Sequence, residues 1–270
     1  MSIVDSSGSP YLRTENHRRV KDIIQERSTN RARVRDVALA GLDLSPVRAV
    51  LDLGCGFGFM TEVVARRVSP DARIVGVDVC PTNRTPFLSQ VSEAGRRGEF
   101  VRQTITNKLA LPDRSFDLVT ATYSLYFFPG IIPEIARVLK PGGLFIILTH
   151  AEEASRDLVR LMGVLCPDIS LRSISRPFND ENGPEQLSPW FGSVERRDYA
   201  NTLVFDETGL DELLAFLEFK LPLLNQHTMK TPAFSKSCRQ TARATMKKLE
   251  QIVVLKDDVI YLCRRPIVLR

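Results

Sequence analysis

The sequence has no apolar run long enough to cross a bilayer, no Cys-x-x-Cys pair, no internal repeat and no low-complexity tract. The first absence argues against a membrane span. The second removes the usual metal clip and dithiol redox motif. The five cysteines, at 55, 80, 166, 238 and 263, are odd in number and widely spaced, which fits thiols in a reducing cytosol. The polar opening MSIVDSSGSPYLRTENHRR lacks the apolar core of a signal peptide, so a soluble, cytoplasmic protein is expected. Without a repeat of solenoid period the chain is not an array. A large excess of one charge is also missing: 37 basic residues face 32 acidic ones, for a formal charge of +5 and a pI near 9.0. That balance permits a nucleic-acid partner without implying one. What is present is 270 residues of 43% hydrophobic content, enough for one substantial core, so one domain with decorations is expected.

The stretch from Val50 to Val79 organises the rest. Val50, Leu51 and Leu53 form a short buried-type strand, and Gly54, Gly56 and Gly58 follow at every second position, where no side chain blocks a ligand from the backbone. Thr61 to Val68 reads as a helix, with Val63, Val64 and Val68 apolar and Glu62, Arg66 and Arg67 on the other face. Ile74, Val75 and Val77 rebuild a strand, and Asp78 ends it where open parallel sheets place their ligand crevices.

Thr14 to Leu42 has helical spacing with a break near Ser28 to Asn30, and His17 reads as a solvated residue at a helix start. After the opening unit, the pattern predicts a helix within 82–98, strands over 99–103, 116–122 and 144–148, and a helix over 133–139. The alternation argues for an α/β, doubly wound parallel sheet. From Thr149 the rhythm changes: 151–165 is helical, 166–192 is rich in Pro, Ser, Asn and Gly, 194–205 contains a strand, and 206–219 is a helix. Residues 233–254 read as one basic amphipathic helix and 259–263 as a last strand, so that the tail completes the same sheet. The bases of 236–248 read as a solvated helix face, with an RNA backbone or anionic lipid as the alternative.

A glycine turn after a strand is a weak signal alone, but here the spacing is GxGxG, one residue short of the dinucleotide fingerprint. LDLGCGFG, the acid-ended second strand, PDRSFDLV and LKPGG occur in that order, and the sequence thereby resembles the class I S-adenosylmethionine-dependent methyltransferases, specifically their small-molecule branch. The resemblance implies a Rossmann-like, mostly parallel seven-stranded sheet. It divides the chain into a helical cap over 1–42 and a methyltransferase domain over 43–270, with a lid inserted at 151–193. It implies S-adenosylmethionine as cofactor. Asp52, Gly54, Cys55, Gly56 and Gly58 would lie under its methionine part, Asp78 would clamp the ribose with Val79 beside it, and Ala121 would line the pocket near the sulfonium. In this family an acid after the third strand often meets the adenine amine. The chain has Thr104 and Ile105 there, so Thr104 is expected to replace the acid and Ile105 to offer its amide and an apolar wall.

Methyl transfer asks mainly for alignment in a dry pocket, with a base only where the nucleophile needs one. His150, after the fifth strand, can accept a proton or can simply be hydrogen-bonded at a strand end; Tyr123 can orient a substrate. His227, in a distal loop, is set aside. The region after the fourth strand reads ATYS instead of the (N/D/S)PP(Y/F/W) of nucleic-acid amino-methyltransferases. Asp117 begins that strand and faces away from its mouth, so no metal site is expected. Leu158, Leu161, Met162, Leu165, Phe178, Trp190 and Phe191 supply either a lid over an organic substrate or ordinary core, and Arg172 and Arg176 can read an acidic group. The resulting expectation is methyl transfer to the oxygen, nitrogen or carbon of a small molecule. The alternatives are an RNA methyltransferase and a non-catalytic S-adenosylmethionine-binding regulator. The sequence does not specify an oligomeric state.

Overall fold

The computed structural model describes residues 10–224 and 234–268; the first nine residues and His227 lie outside them. Helices α1 (Thr14–Arg27) and α2 (Val34–Leu39) come first. Strand β1 (Ala49–Leu53), helix α3 (Thr61–Ala65), strand β2 (Arg73–Asp78), helix α4 (Arg84–Glu93) and strand β3 (Arg97–Arg102) then alternate. Strand β4 (Phe116–Thr122), helix α5 (Ile132–Val138) and strand β5 (Leu139–His150) extend the series. Helices α6 (Glu152–Leu165) and α7 (Gly183–Leu187) lead to strands β6 (Phe191–Tyr199) and β7 (Thr202–Asp206). Helices α8 (Leu210–Leu224) and α9 (Lys236–Leu249) precede strands β8 (Gln251–Leu255) and β9 (Asp258–Pro266).

The seven-stranded sheet has the order β3-β2-β1-β4-β5-β9-β6. The β1/β2, β1/β4, β2/β3 and β4/β5 pairs are parallel. In β1 and β2 all but the first or the end residues are buried, as strands covered on both faces must be. Chain order reverses between β1 and β4, so the crevice at their carboxyl ends is the topological switch point. At the opposite end Asp117 accepts hydrogen bonds from the Arg48 and Ala49 amides and pairs with Lys140, which ties the strand starts together.

The chain forms two compact units. The sheet unit comprises Val34–Thr149, Pro177–Tyr199 and the chain from Val259; the composite unit draws on the chain up to Arg33, His150–Arg176 and Ala200–Asp258. This division cuts differently from the expected cap over 1–42 and lid over 151–193. Helix α2 belongs with the sheet, and residues 177–199 supply its edge strand β6. The apolar residues expected in the lid are divided as well. Leu158, Met162 and Leu165 join the core of the composite unit, whereas the rings of Phe178 and Phe191 pack on Tyr261 and Phe145 of the sheet unit.

The tail differs from its sequence pattern in three further ways. The expected strand over 194–205 is two strands in two sheets, since β7 pairs antiparallel with β8 in a separate sheet. The expected helix over 233–254 stops at Leu249, where Glu250 takes a left-handed φ of 62°, and β8 follows. Cys166 and Cys238 are joined by a disulfide, against the expectation of unpaired thiols; Cys55, Cys80 and Cys263 are buried and take no part in a disulfide. No helix among the described residues is long and apolar enough to cross a membrane.

Candidate functional site

The glycine turn begins where β1 ends. Gly54, Gly56 and Gly58 have φ of 68°, 53° and 92°, a backbone region that side-chain-bearing residues rarely adopt. At Gly54 space forbids a side chain as well, because a Cβ there would sit 2.5 Å from the Ser124 Cβ. The turn is pinned from β2: the Gly54 and Cys55 amides donate to the Val77 carbonyl at 2.8 and 3.2 Å, and the Gly56 amide donates to the Asp78 carboxylate at 2.8 Å. Cys55 is buried and its thiol pKa is pushed well up by burial, so it packs and does not ionise.

Asp52 is buried inside β1 and accepts hydrogen bonds from the Thr61 and Thr120 hydroxyls at 2.6 and 2.8 Å. Burial raises its pKa to about 6, against the opposing pull of the two hydroxyls, and the nearby Asp78 charge adds to the rise. Asp78, half-buried at the end of β2, also accepts from the Cys80 amide at 2.8 Å and the Asn83 side-chain amide at 3.2 Å, and burial raises its pKa too. Among the described residues no lysine or arginine pairs with Asp52 or Asp78. Two adjacent carboxylates thus border the crevice without a counter-ion. The paired threonines are signals that sequence spacing did not single out.

The remaining positions fall at the same end of the sheet. Val79, just past β2, is exposed, and Thr104 and Ile105 are half-buried in the loop after β3, which starts with the Gln103 amide donating to the Asp78 carbonyl at 3.0 Å. Ala121 is fully buried in β4, paired with Ile147. Next to it the Thr122 hydroxyl is buried without a hydrogen-bond partner. Tyr123 follows in the left-handed region, φ 53°, its amide held by the Leu148 carbonyl at 2.7 Å and its ring 6.4 Å from that of Phe59. A bulky residue in that conformation costs energy that surrounding structure must hold in place, and such positions cluster at functional sites.

His150 has a different setting. It closes β5, is buried, and places its Nδ1 2.8 Å from Asp258 Oδ1 and 3.4 Å from Lys256 Nζ. Lys256 in turn reaches both Asp258 oxygens at 2.7 and 2.6 Å. Burial, then the Lys256 charge, lower the His150 pKa to about 4, despite the pull of Asp258. An imidazole of that basicity inside an ion cluster is a weak proton acceptor at neutral pH. The partner that places it there, Asp258, is 108 residues away in sequence and had no local signal. His17 is likewise not the solvated residue its polar surroundings suggested: its ring stacks on Phe219 and meets Tyr11, and burial lowers its pKa to about 4.

Residues 51–147 match a family model described as a methyltransferase domain. A ubiquinone/menaquinone biosynthesis C-methyltransferase of Hydrogenovibrio crunogenus is 36% identical over 121 residues, covering 43% of this chain and 46% of that protein. The nocamycin O-methyltransferase of Saccharothrix syringae is 35% identical over 115 residues, covering 40% and 41%. The chain thus spans less than half the length of these curated relatives. Among solved structures, the YcgJ protein of Bacillus subtilis aligns with a TM-score of 0.53 at 18% identity, over 92% of this chain and 99% of that one, a likeness of fold.

Proposed function

We propose that this chain, whose residues 51–147 are a class I S-adenosylmethionine-dependent methyltransferase domain, transfers a methyl group to the oxygen, nitrogen or carbon of a small organic molecule. The observation that carries the reading is the turn Gly54-Cys55-Gly56-Phe57-Gly58, with glycine at every second position, held from β2 by Asp78 and set against Ser124 at the switch point of the sheet. The cofactor supplies a methyl group already activated on a positively charged sulfonium.

The residues fit that group in three respects. The turn, with Gly54, Gly56 and Gly58 at positive φ, presents backbone and no side chain at three of its five positions. Asp52 and Asp78 form an anionic border without a protein cation, which suits a cationic ligand. The buried Thr122 hydroxyl lacks a partner, as a group awaiting a ligand would. In this reading Asp52 orders the turn through Thr61 and Thr120 and does not touch the ligand. Gly54, Cys55, Gly56 and Gly58 carry the methionine part. The remaining carboxylate capacity of Asp78 takes the ribose hydroxyls, and Val79, Thr104 and Ile105 border the adenine. Ala121 keeps the reacting end free of polar groups, and Tyr123, held in its strained conformation, orients the acceptor. His150 is a packing and charge-balancing residue, so transfer proceeds by alignment, without a histidine base.

Calorimetry with S-adenosylmethionine is the direct test. Binding is expected, with Asp78→Ala weakening it roughly tenfold or more, the loss of one charge-assisted hydrogen-bond site. Undiminished binding by that variant would reject the assignment. Label from methyl-labelled cofactor should then appear in a small-molecule extract; label in RNA would support an RNA methyltransferase, and binding without turnover on either pool a regulator.

A further inference from the structure

We propose that the composite unit holds a binding site for a small organic carboxylate, centred on Lys220 of α8, separate from and independent of the methyl-transfer reading. Lys220 is 8% exposed, yet none of its ammonium hydrogens meets a hydrogen-bond acceptor and no carboxylate pairs with it among the described residues. Its Nζ lies over the Phe216 ring, 5.7 Å from the centroid. Buried lysines are ordinarily paired, because an unpaired ammonium forfeits its hydration with no return.

The surroundings explain why no acid among the described residues answers it. The acid whose charge acts on Lys220 is Asp258, and both of its oxygens are already taken by Lys256, with His150 on Oδ1. Two lysines therefore share one buried aspartate, and His17 and His150 stay neutral, their pKa values lowered by burial and by the neighbouring lysine charges. With both ammonium groups protonated, Lys220, Lys256 and Asp258 together carry one net positive charge. Lys256 directs its donors at the two Asp258 oxygens, so among the described residues Lys220 is the donor left open. Arg239 and Arg243 of the adjacent α9 are themselves paired with Glu218 and Asp211.

A surplus of one charge calls for a monoanion, and the walls call for an organic one. Phe216 lies beneath the ammonium, and Phe219 of the same helix forms a ring cluster with His17 of α1 and with Tyr11 just before α1. A carboxylate with an aromatic or aliphatic body supplies the acceptor oxygens and the apolar contact together. The Lys220 pKa is about 7, lowered by burial and then by Lys256 and partly restored by Asp258, so the ammonium is gained on mild acidification. Carboxylate binding should accordingly be coupled to proton uptake by Lys220, with Lys256, Asp258, His17 and His150 as the charged and titratable groups that face it.

The test is titration of the full chain with benzoate, with benzamide as its neutral isostere and inorganic phosphate as a second anion. Benzoate is expected to bind and raise the melting temperature. Its affinity should fall roughly tenfold or more from about pH 6 to about pH 9 as the ammonium is lost. Benzamide should not bind. Lys220→Met should lose benzoate binding at least roughly tenfold while melting no lower than the parent, and Lys220→Arg should retain it. Equal responses to benzoate and benzamide, phosphate binding in place of benzoate, or undiminished benzoate binding by Lys220→Met would each overturn the site.

Discussion

The sheet unit and the composite unit each bury an aspartate, and they hold it by opposite means. In the sheet unit Asp52 has two hydroxyl donors and no cation, and its pKa rises to about 6. In the composite unit Asp258 has Lys256 and His150, and its pKa falls to about 2. Burial alone would raise both; the partner decides the sign. A carboxylate kept without a counter-ion leaves its negative potential available to a ligand in the adjoining crevice. A carboxylate enclosed by cations spends that potential on holding its own surroundings.

The largest expected effect breaks the enclosed pair. Asp258→Ala leaves Lys256 buried beside Lys220 with no acid between them, and should cost about 3–5 kcal/mol in urea unfolding. A loss below about 1 kcal/mol would show that the cluster is not the glue described. Next comes the turn. Gly54→Ala adds a Cβ 2.5 Å from Ser124 in a backbone region hostile to side chains, and should cost about 1–3 kcal/mol and suppress S-adenosylmethionine binding; a variant that binds normally would remove the turn from the site.

The two aspartates also predict opposite responses to acid. Asp52, whose folded pKa is raised, contributes stability at pH values below its unfolded pKa, and that contribution is lost as pH rises through about 6. Asp258, whose folded pKa is depressed, contributes stability above its unfolded pKa and loses it as pH falls through about 2. Asp52→Asn should therefore flatten the stability profile between about pH 4 and 6 by about 2 kcal/mol, read by denaturant titration at each pH. A profile unchanged by the substitution would mean that Asp52 titrates as an ordinary surface acid. The smallest effect is expected at Thr122→Val, which removes an unpartnered buried hydroxyl at nearly constant shape. Stability should stay within about 1 kcal/mol of the parent or rise, while cofactor affinity or turnover declines. No change in either would show that the hydroxyl serves neither.

The centre of the sheet was legible because β1, β2 and β4 are short apolar runs and their surroundings carry audible stops: Gly54 after β1, Asp78 at the end of β2, and the LKPGG stretch that opens β5. The turn and Asp78 were legible for the same reason, since their chemistry and their neighbours are local. The tail was not. Glu250 ends α9 in a left-handed conformation usually given to glycine, so nothing in the sequence separated the helix from β8. Tyr199 and Thr202 are only a few residues apart, and no apolar period announces that the strands on either side join different sheets. His150 read as a base because its place at a strand end is visible, whereas Asp258 and Lys256 reach it only through the fold.

Strand β9 lies between β5 and β6, although β6 leaves the ribosome well before it. During synthesis β6 therefore has no neighbour to pair with until Asp258–Pro266 emerges, and its open edge must wait through the translation of β7, α8, α9 and β8. The nascent chain can assemble β1 to β5 early, but the last two strands of that sheet can be inserted only once Asp258–Pro266 has emerged, and until then β6 is held off pairing by its own charges, Glu195, Arg196, Arg197 and Asp198.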